Sequence, residues 1–437
     1  MRTRLALVGV AALAAALALL FGGAFEHEAA ARGGDVLPPA IAEQLQRGFA
    51  AGATAALVAG LQGELRVQPS AKAYGTLGLA YEQRARETGD ATFYGRAERA
   101  LRRALALHPN DLNALAGLGQ LALARHQFRH ALTLGRAARR VSPTTAGVYG
   151  IVGDAQLELG RYRQAFISFD RMATLKPSVA SYARVSYARE LLGDVRGAEQ
   201  AMALAVSASA GQREAAAWTR TQLGLLLLSS GRPAAAEREA QRALLVFPGY
   251  HLALDALAQA EAAQGRLATA LRHERAAVAR IPLPQYVGFL GDLERATGHP
   301  ARARGQYELI RVIERLLAAN GVRNDLDIAL FDVDHGIRLR HALELARRGY
   351  RERPSIVGDD VLGWALARNG RCGEALPYAR RALRLGTRDA VKEFHRGYVE
   401  ACLGHRAAAR TWYRRALALN PHFSILWAPV ARKGALR

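Results

Sequence analysis

The segment Gly153–Pro177, GDAQLELGRYRQAFISFDRMATLKP, carries a ruler that the rest of the chain follows. Gly153, Ala165 and Pro177 stand twelve residues apart, and Gly160 lies seven after the first glycine. The same spacing returns at Gly119, Ala131 and Pro143, and at Gly224, Ala236 and Pro248 with Gly231. It returns again at Ala258, Ala270 and Pro282 with Gly265, and at Gly397, Ala409 and Pro421 with Gly404. Adjacent regular copies are offset by 34 residues, and a period of that size marks stacked supersecondary units.

Each unit reads as two helices. Val148, Ile151, Val152 and Leu157 put apolar side chains at helical spacing, and Gly160 suits the left-handed turn in which a helix often ends. A second helix is expected from about Arg163 to Leu175, stopping at a proline. Ala165 lies where the two helices approach closely, with the large Phe169 filling the space beside it. These small, aromatic and proline positions, recurring about ten times, resemble the tetratricopeptide repeat. The resemblance implies an all-α fold, a right-handed superhelical solenoid of antiparallel helix pairs whose first helices line a concave groove that holds a peptide. In such a solenoid each unit is expected to contact only its neighbours, which makes one elongated body.

Residues 1–34 differ in kind. Arg2 and Arg4 precede Leu5–Phe21, a run without charge or strong polarity, and Glu26 and Glu28 follow. This is the form of a secretory signal peptide, although the run is also just long enough for a membrane anchor. Either way the charge bias sends the remainder outward. Residues 35–70 form an expected amino-terminal capping pair ending at Pro69, residues 71–284 a regular array, 285–423 a divergent array, and 424–437 a closing segment containing Trp427 and Pro429. Seven extra residues around RETGDAT are expected in a loop, and SASAGQRE is expected to lengthen a connection.

The net charge of +22 would ordinarily suggest nucleic acid. Only four of the 60 basic residues are lysine, however, and the arginines spread along second helices, as in RAERALRR and RRALRL, instead of clustering with aromatics. A solvated basic outer face accounts for them, with contacts to anionic lipid or cell-wall polymers as the alternative. The two cysteines follow from the ruler. Cys372 opens a second helix and Cys402 closes the next first helix, so antiparallel stacking makes them neighbours and predicts a disulfide in an exported protein; buried free thiols are the alternative.

Catalytic and cofactor signals are sparse. The chain has no GxxxxGK[ST], strand-bound GxGxxG, GxSxG or HExxH motif, and two cysteines cannot build a four-cysteine zinc site. His126 and His130 straddle a turn and read as a surface pair, and Asp332, Asp334 and His335 lack the spacing of a calcium loop. No cofactor or metal and no enzymatic activity is expected. Counted along the ruler, the groove-facing positions of the divergent units are Asp327 with Phe331, Asp360 with Trp364, and Phe394 with Tyr398; earlier units place Gln120, Asp154, Gln259 and Asp292 there. An aromatic ladder beside acids suits apolar and basic side chains of a protein partner, and the competing explanation is ordinary core packing. The expected role is an exported or membrane-tethered scaffold for protein–protein interaction. The alternative is an accessory subunit that presents a substrate, envelope polymer or metal to a neighbouring membrane enzyme or transporter.

Overall fold

The structure, a computed structural model, describes residues 53–436. The expected signal or anchor and the first part of the expected capping pair lie outside them. Among the described residues the fold is all-α. Helix α1 (Ala53–Val67) precedes ten antiparallel pairs: α2 (Ala71–Thr88) with α3 (Thr92–Leu107), α4 (Leu112–Ala124) with α5 (Phe128–Val141), α6 (Ala146–Glu158) with α7 (Tyr162–Leu175), α8 (Val179–Leu191) with α9 (Val195–Ala208), and α10 (Arg213–Ser229) with α11 (Pro233–Val246). They continue as α12 (His251–Ala263) with α13 (Leu267–Arg280), α14 (Pro284–Ala296) with α15 (Pro300–Ala319), α16 (Asp325–His335) with α17 (Leu339–Glu352), α18 (Ile356–Arg368) with α19 (Cys372–Ala382), and α20 (Ala390–Cys402) with α21 (Arg406–Leu419). Helix α22 (Ala428–Leu436) closes the array.

The ruler positions have physical jobs. A side chain at Gly153 would collide with the ring of Phe169, sixteen residues on, and Gly291 stands in the same relation to Tyr307 and Gly397 to Tyr413. In these three pairs the glycine of the first helix is therefore the socket for a ring from the second; at Gly78 the occupant is Leu101 instead. Gly160 has φ +71°, and the turn glycines Gly231, Gly265 and Gly404 share this left-handed conformation. Side-chain caps start several first helices: Asp111 accepts from Ala114 N, and Ser178 and Ser181 form a reciprocal capping box. Second helices bury one stripe only, as with Phe128, Ala131, Leu132, Gly135 and Ala138 of α5, whereas α12 is buried without interruption from Ala253 to Ala263. First helices of successive pairs touch one another, α2 with α4 and α18 with α20 among them, and second helices show no comparable approach. The first helices thus line the inside of the curve.

Two insertions do not take the expected form. Helix α2 has 18 residues and α3 has 16, against 13 and 14 in the following pair, so the seven extra residues lengthen the helices and leave only a short turn at Gly89. Likewise α10 grows to 17 residues and its connection spans only 209–212. Extending a helix satisfies backbone groups that a loop would leave to solvent.

The expectation that units touch only their neighbours is also overturned. Gln127 Nε2 donates to Gly321 O at 3.1 Å, Arg129 Nη2 to Arg351 O at 2.9 Å, and Asn420 Nδ2 to Leu228 O at 3.0 Å. Tyr162 Oη accepts from Ile356 N at 2.6 Å, and the buried Arg353 guanidinium pairs with Glu158. The turn inside each early pair packs against a connection between later pairs, at sequence separations of 192 to 222 residues. The superhelix closes on itself after between five and six units and forms a seam between successive turns. His126, expected on the surface, belongs to this seam: it adopts φ +56° and its Nδ1 lies 3.0 Å from Arg323 O.

Candidate concave-face site

Charge is segregated between the two faces. The second helices of the ten pairs hold 30 arginines against 11 carboxylates, whereas the first helices hold 11 basic residues against 18 carboxylates. Helix α16 alone carries Asp325, Asp327, Asp332 and Asp334 with no lysine or arginine. The first-helix layer of this basic molecule is therefore acid-rich, most of all in α16, and part of that charge is answered locally: Asp325, Asp359 and Glu393 pair with Arg348, Arg381 and Arg415.

The structure brings five of the six predicted groove residues into one region and displays them unequally, while Asp327, near the start of α16, lies 3.9 Å from His126 in the seam. Trp364 and Phe394 are fully buried, Asp360 is buried, and Asp327, Phe331 and Tyr398 remain partly exposed. Trp364 meets Tyr398 edge-on at 4.8 Å between centroids, stacks on His395 at 4.3 Å and meets Trp427 at 5.1 Å. For Trp364 and Phe394 the physical cause of burial is the carboxyl-terminal segment, which turns back across three first helices. Phe423 packs 5.4 Å from Phe394, and Trp427 reaches Phe394 at 5.7 Å and Tyr398 at 6.3 Å. Ser424 Oγ accepts from Trp427 N at 3.1 Å, which fixes the turn into α22. A partner can meet Phe331 and Tyr398 directly, but not these two rings.

Polar links run from one first helix to the next. Asp154 accepts from Arg184, Asp292 from His335 and also from Tyr307 of the second helix α15, and Asp360 lies 3.0 Å from His395 Nδ1. Asp334 Oδ1 accepts both indole N–H groups, from Trp364 at 2.8 Å and Trp427 at 3.0 Å. Burial pushes the Asp334 carboxyl above its ordinary range, and the two indole N–H groups work against this by stabilising the charged form. For His335 burial opposes charge, but the Asp292 carboxylate beside it prevails and raises the imidazole to about 8. Lys392 and Asp389 form a buried ion pair; burial works against both charges and their mutual attraction overcomes it, holding Asp389 low and Lys392 high.

Between these groups lies a narrow cleft, partly open to solvent, with about 40 Å³ of room for the centres of water-sized groups. Leu330, Val357, Val361 and Val391 form apolar walls, and Asp334, Asp360 and His395 are its principal polar groups beside the Asp389–Lys392 pair. Asp332, singled out in sequence with Asp334 and His335, instead pairs with Arg338. The three do not converge, and among the described residues no group of three or more ligating side chains is placed to hold a metal. Sequence spacing missed His395 and placed Trp427 only in the closing segment, because each acts through a contact outside its own unit. Cys372 and Cys402 are joined as a disulfide, with Cα atoms 6.1 Å apart.

No protein-family model matches the chain, and no curated protein matches it. Solved structures similar to it include a thermophilic tetratricopeptide-repeat protein of Thermus thermophilus, 21% identical, covering 48% of this chain and 100% of that one with a TM-score of 0.38. PilW, a widely conserved type IV pilus biogenesis factor, is 16% identical, covers 46% and 92%, and has a TM-score of 0.39. The human IFIT1 dimer with PPP-AAAA is 12% identical, covers 86% and 96%, and has a TM-score of 0.46. At these values the architecture rests on the helix pairing itself.

Proposed function

We propose that this chain is a tetratricopeptide-type scaffold that binds another protein along its concave face, and that it works outside the cytoplasm, secreted or tethered by its first residues. The observation that carries the binding role is the charge segregation: an acid-rich layer of first helices, with Phe331 and Tyr398 partly exposed, inside an arginine-rich layer of second helices. Exposed rings beside carboxylates are interface anchors, and superhelical arrays use their concave surface for this purpose. Export is supported by Arg2 and Arg4 ahead of the apolar Leu5–Phe21 run, and by a cysteine pair of a kind that persists in oxidising compartments. Among the described residues no helix is long and apolar enough to cross a membrane, so in this proposal any tether is the Leu5–Phe21 run.

The test is site-specific photo-crosslinking in intact cells, with the reactive group placed at Phe331 or Tyr398 on the inner wall and at the exposed Arg171 on the outer face. One identified protein should crosslink from the inner positions and not from Arg171. Equal labelling from both faces, or none from the inner one, overturns the proposal. Protease accessibility of the array in cells with a permeabilised outer layer tests export separately.

The arginine-rich outer face favours one further possibility, the accessory role with an anionic envelope polymer or lipid surface as ligand. It predicts salt-sensitive retention on anionic vesicles that outer-face arginine substitutions reduce and inner-wall substitutions leave unchanged.

A further inference from the structure

The cleft between α16, α18, α20 and the 423–427 segment contains a polar atom without a partner. His395 is 2% exposed, its Nδ1 lies 3.0 Å from Asp360 Oδ1, and its Nε2 has no hydrogen-bond partner although the ring lines the cleft. A carboxylate only accepts, so Nδ1 carries the proton in this contact, and on a ring holding that one proton Nε2 is a lone-pair acceptor. A buried acceptor without a donor is costly. The cleft therefore calls for a ligand that brings an N–H or O–H into it.

Its other groups narrow the chemistry. Asp389 and Lys392 neutralise one another, which leaves Asp334 and Asp360 as the carboxylates on the cleft and makes a cation the complementary ligand. Arg368 stacks over Trp364 and Trp427, at 5.4 and 4.6 Å from their ring centroids, and so lies behind the indoles. Asp334 Oδ1 is already taken by two indoles and Asp360 Oδ1 by His395. A planar guanidinium needs a free pair of carboxylate oxygens for its fork, whereas an ammonium is a compact point charge with three rotatable donors. The walls formed by Leu330, Val357, Val361 and Val391 suit an apolar stem.

We propose that this cleft binds the ammonium group of a lysine side chain presented by a peptide partner, its methylenes along the valines and its donors shared between His395 Nε2 and Asp360. The proposal rests on the scaffold function above and specifies the chemistry of its partner.

The full chain, with ¹⁵N-labelled histidine, is titrated with the peptide acetyl-Ala-Ala-Lys-Ala-Ala-amide and with its norleucine and glutamate counterparts. The lysine peptide should move the His395 Nε2 resonance saturably and change tryptophan fluorescence, binding at least tenfold more tightly than norleucine. The glutamate peptide should bind no better than norleucine. Asp360→Asn should weaken the lysine peptide at least fivefold while the urea midpoint stays within error. Equal binding of lysine and norleucine by the unaltered chain overturns the proposal, as does an unshifted His395 or an indifferent Asp360→Asn. If inner-wall crosslinking identifies a partner while the lysine peptide fails, only the lysine site falls. If the peptide binds and inner-wall crosslinking fails, the scaffold function falls instead.

Discussion

At the scale of single residues, the least ordinary group is Glu274 in α13, which is fully buried and faces Asp255 of α12. Asp255 also accepts from Gln259 Nε2 at 2.8 Å. Burial pushes Asp255 up to about 7 and Glu274 well above the usual carboxylate range, with the neighbouring Asp255 charge adding to the effect at Glu274. The folded chain therefore holds protons here that the unfolded chain releases near pH 4, and stability falls as pH climbs from there through 7. Glu274→Gln keeps the shape and removes one of these protons from the balance. Its thermal midpoint should match the parent at pH 5 and exceed it at pH 8; a constant difference at both values would show that the pair does not titrate as a buried unit. Trp427 gives a second residue-scale expectation. Its indole donates to Asp334 and packs on Trp364 and Phe394, so Trp427→Ala should cost about 3 kcal/mol in urea unfolding, with loss of near-ultraviolet dichroism from the paired indoles. A cost below about 1 kcal/mol would mean that the 423–427 segment is not docked on the inner wall in solution.

At the scale of the helix, the ruler is readable because each of its positions is enforced inside one pair or between two adjacent ones. Gly153 receives Phe169, Gly160 turns the chain, and Cys372 at the start of α19 meets Cys402 at the end of α20. All of these contacts span less than about one period, so a local window contains both partners. Where a window also admits another solution, sequence spacing misled. The residues around Thr88 could form a loop or further helical turns, and the lengthened α2 and α3 bury Tyr81, Ala85 and Tyr94 instead of exposing a long connection. Phe331 and Tyr398 keep exposed surface, whereas Phe423 and Trp427 from beyond the last pair cover Phe394 and Trp364, and Asp327 lies beside His126 in the seam, contacts that no local window contains. The disulfide provides a test at this scale. It closes a loop of 30 residues and should contribute about 3 kcal/mol by restricting the unfolded chain. Reduction should lower the urea midpoint by the corresponding amount and expose two titratable thiols; a midpoint indifferent to reductant would show the bridge absent in the folded protein.

At the scale of the molecule, the seam changes what kind of solenoid this is. In an open array each unit is stabilised by its neighbours alone, and unfolding can begin anywhere. Here the early and late units clamp each other through Glu158–Arg353, Tyr162–Ile356 and Asn420–Leu228. No local window contains such a contact, because it arises from the small rotation between units summed over between five and six of them. The turn glycines offer an internal comparison. Gly160, Gly193, Gly231, Gly265, Gly370 and Gly404 all have positive φ, so alanine at any of them should cost about 1 kcal/mol from backbone strain alone. At Gly265, Gly370 and Gly404 the added methyl enters open space. At Gly160, Gly193 and Gly231 it would strike the carbonyl oxygens of Pro354, Gly386 and Leu419, all backbone atoms of the opposite turn of the superhelix. Overpacking of this kind costs about 1–3 kcal/mol more. Urea midpoints of the six alanine variants should therefore fall into two groups, with the three seam positions lower. Because the strain at each turn is matched, that gap reports contact between superhelical turns and nothing else. Six equal losses would mean that the array stands open in solution, and the concave wall would then be far more accessible than the closed coil allows.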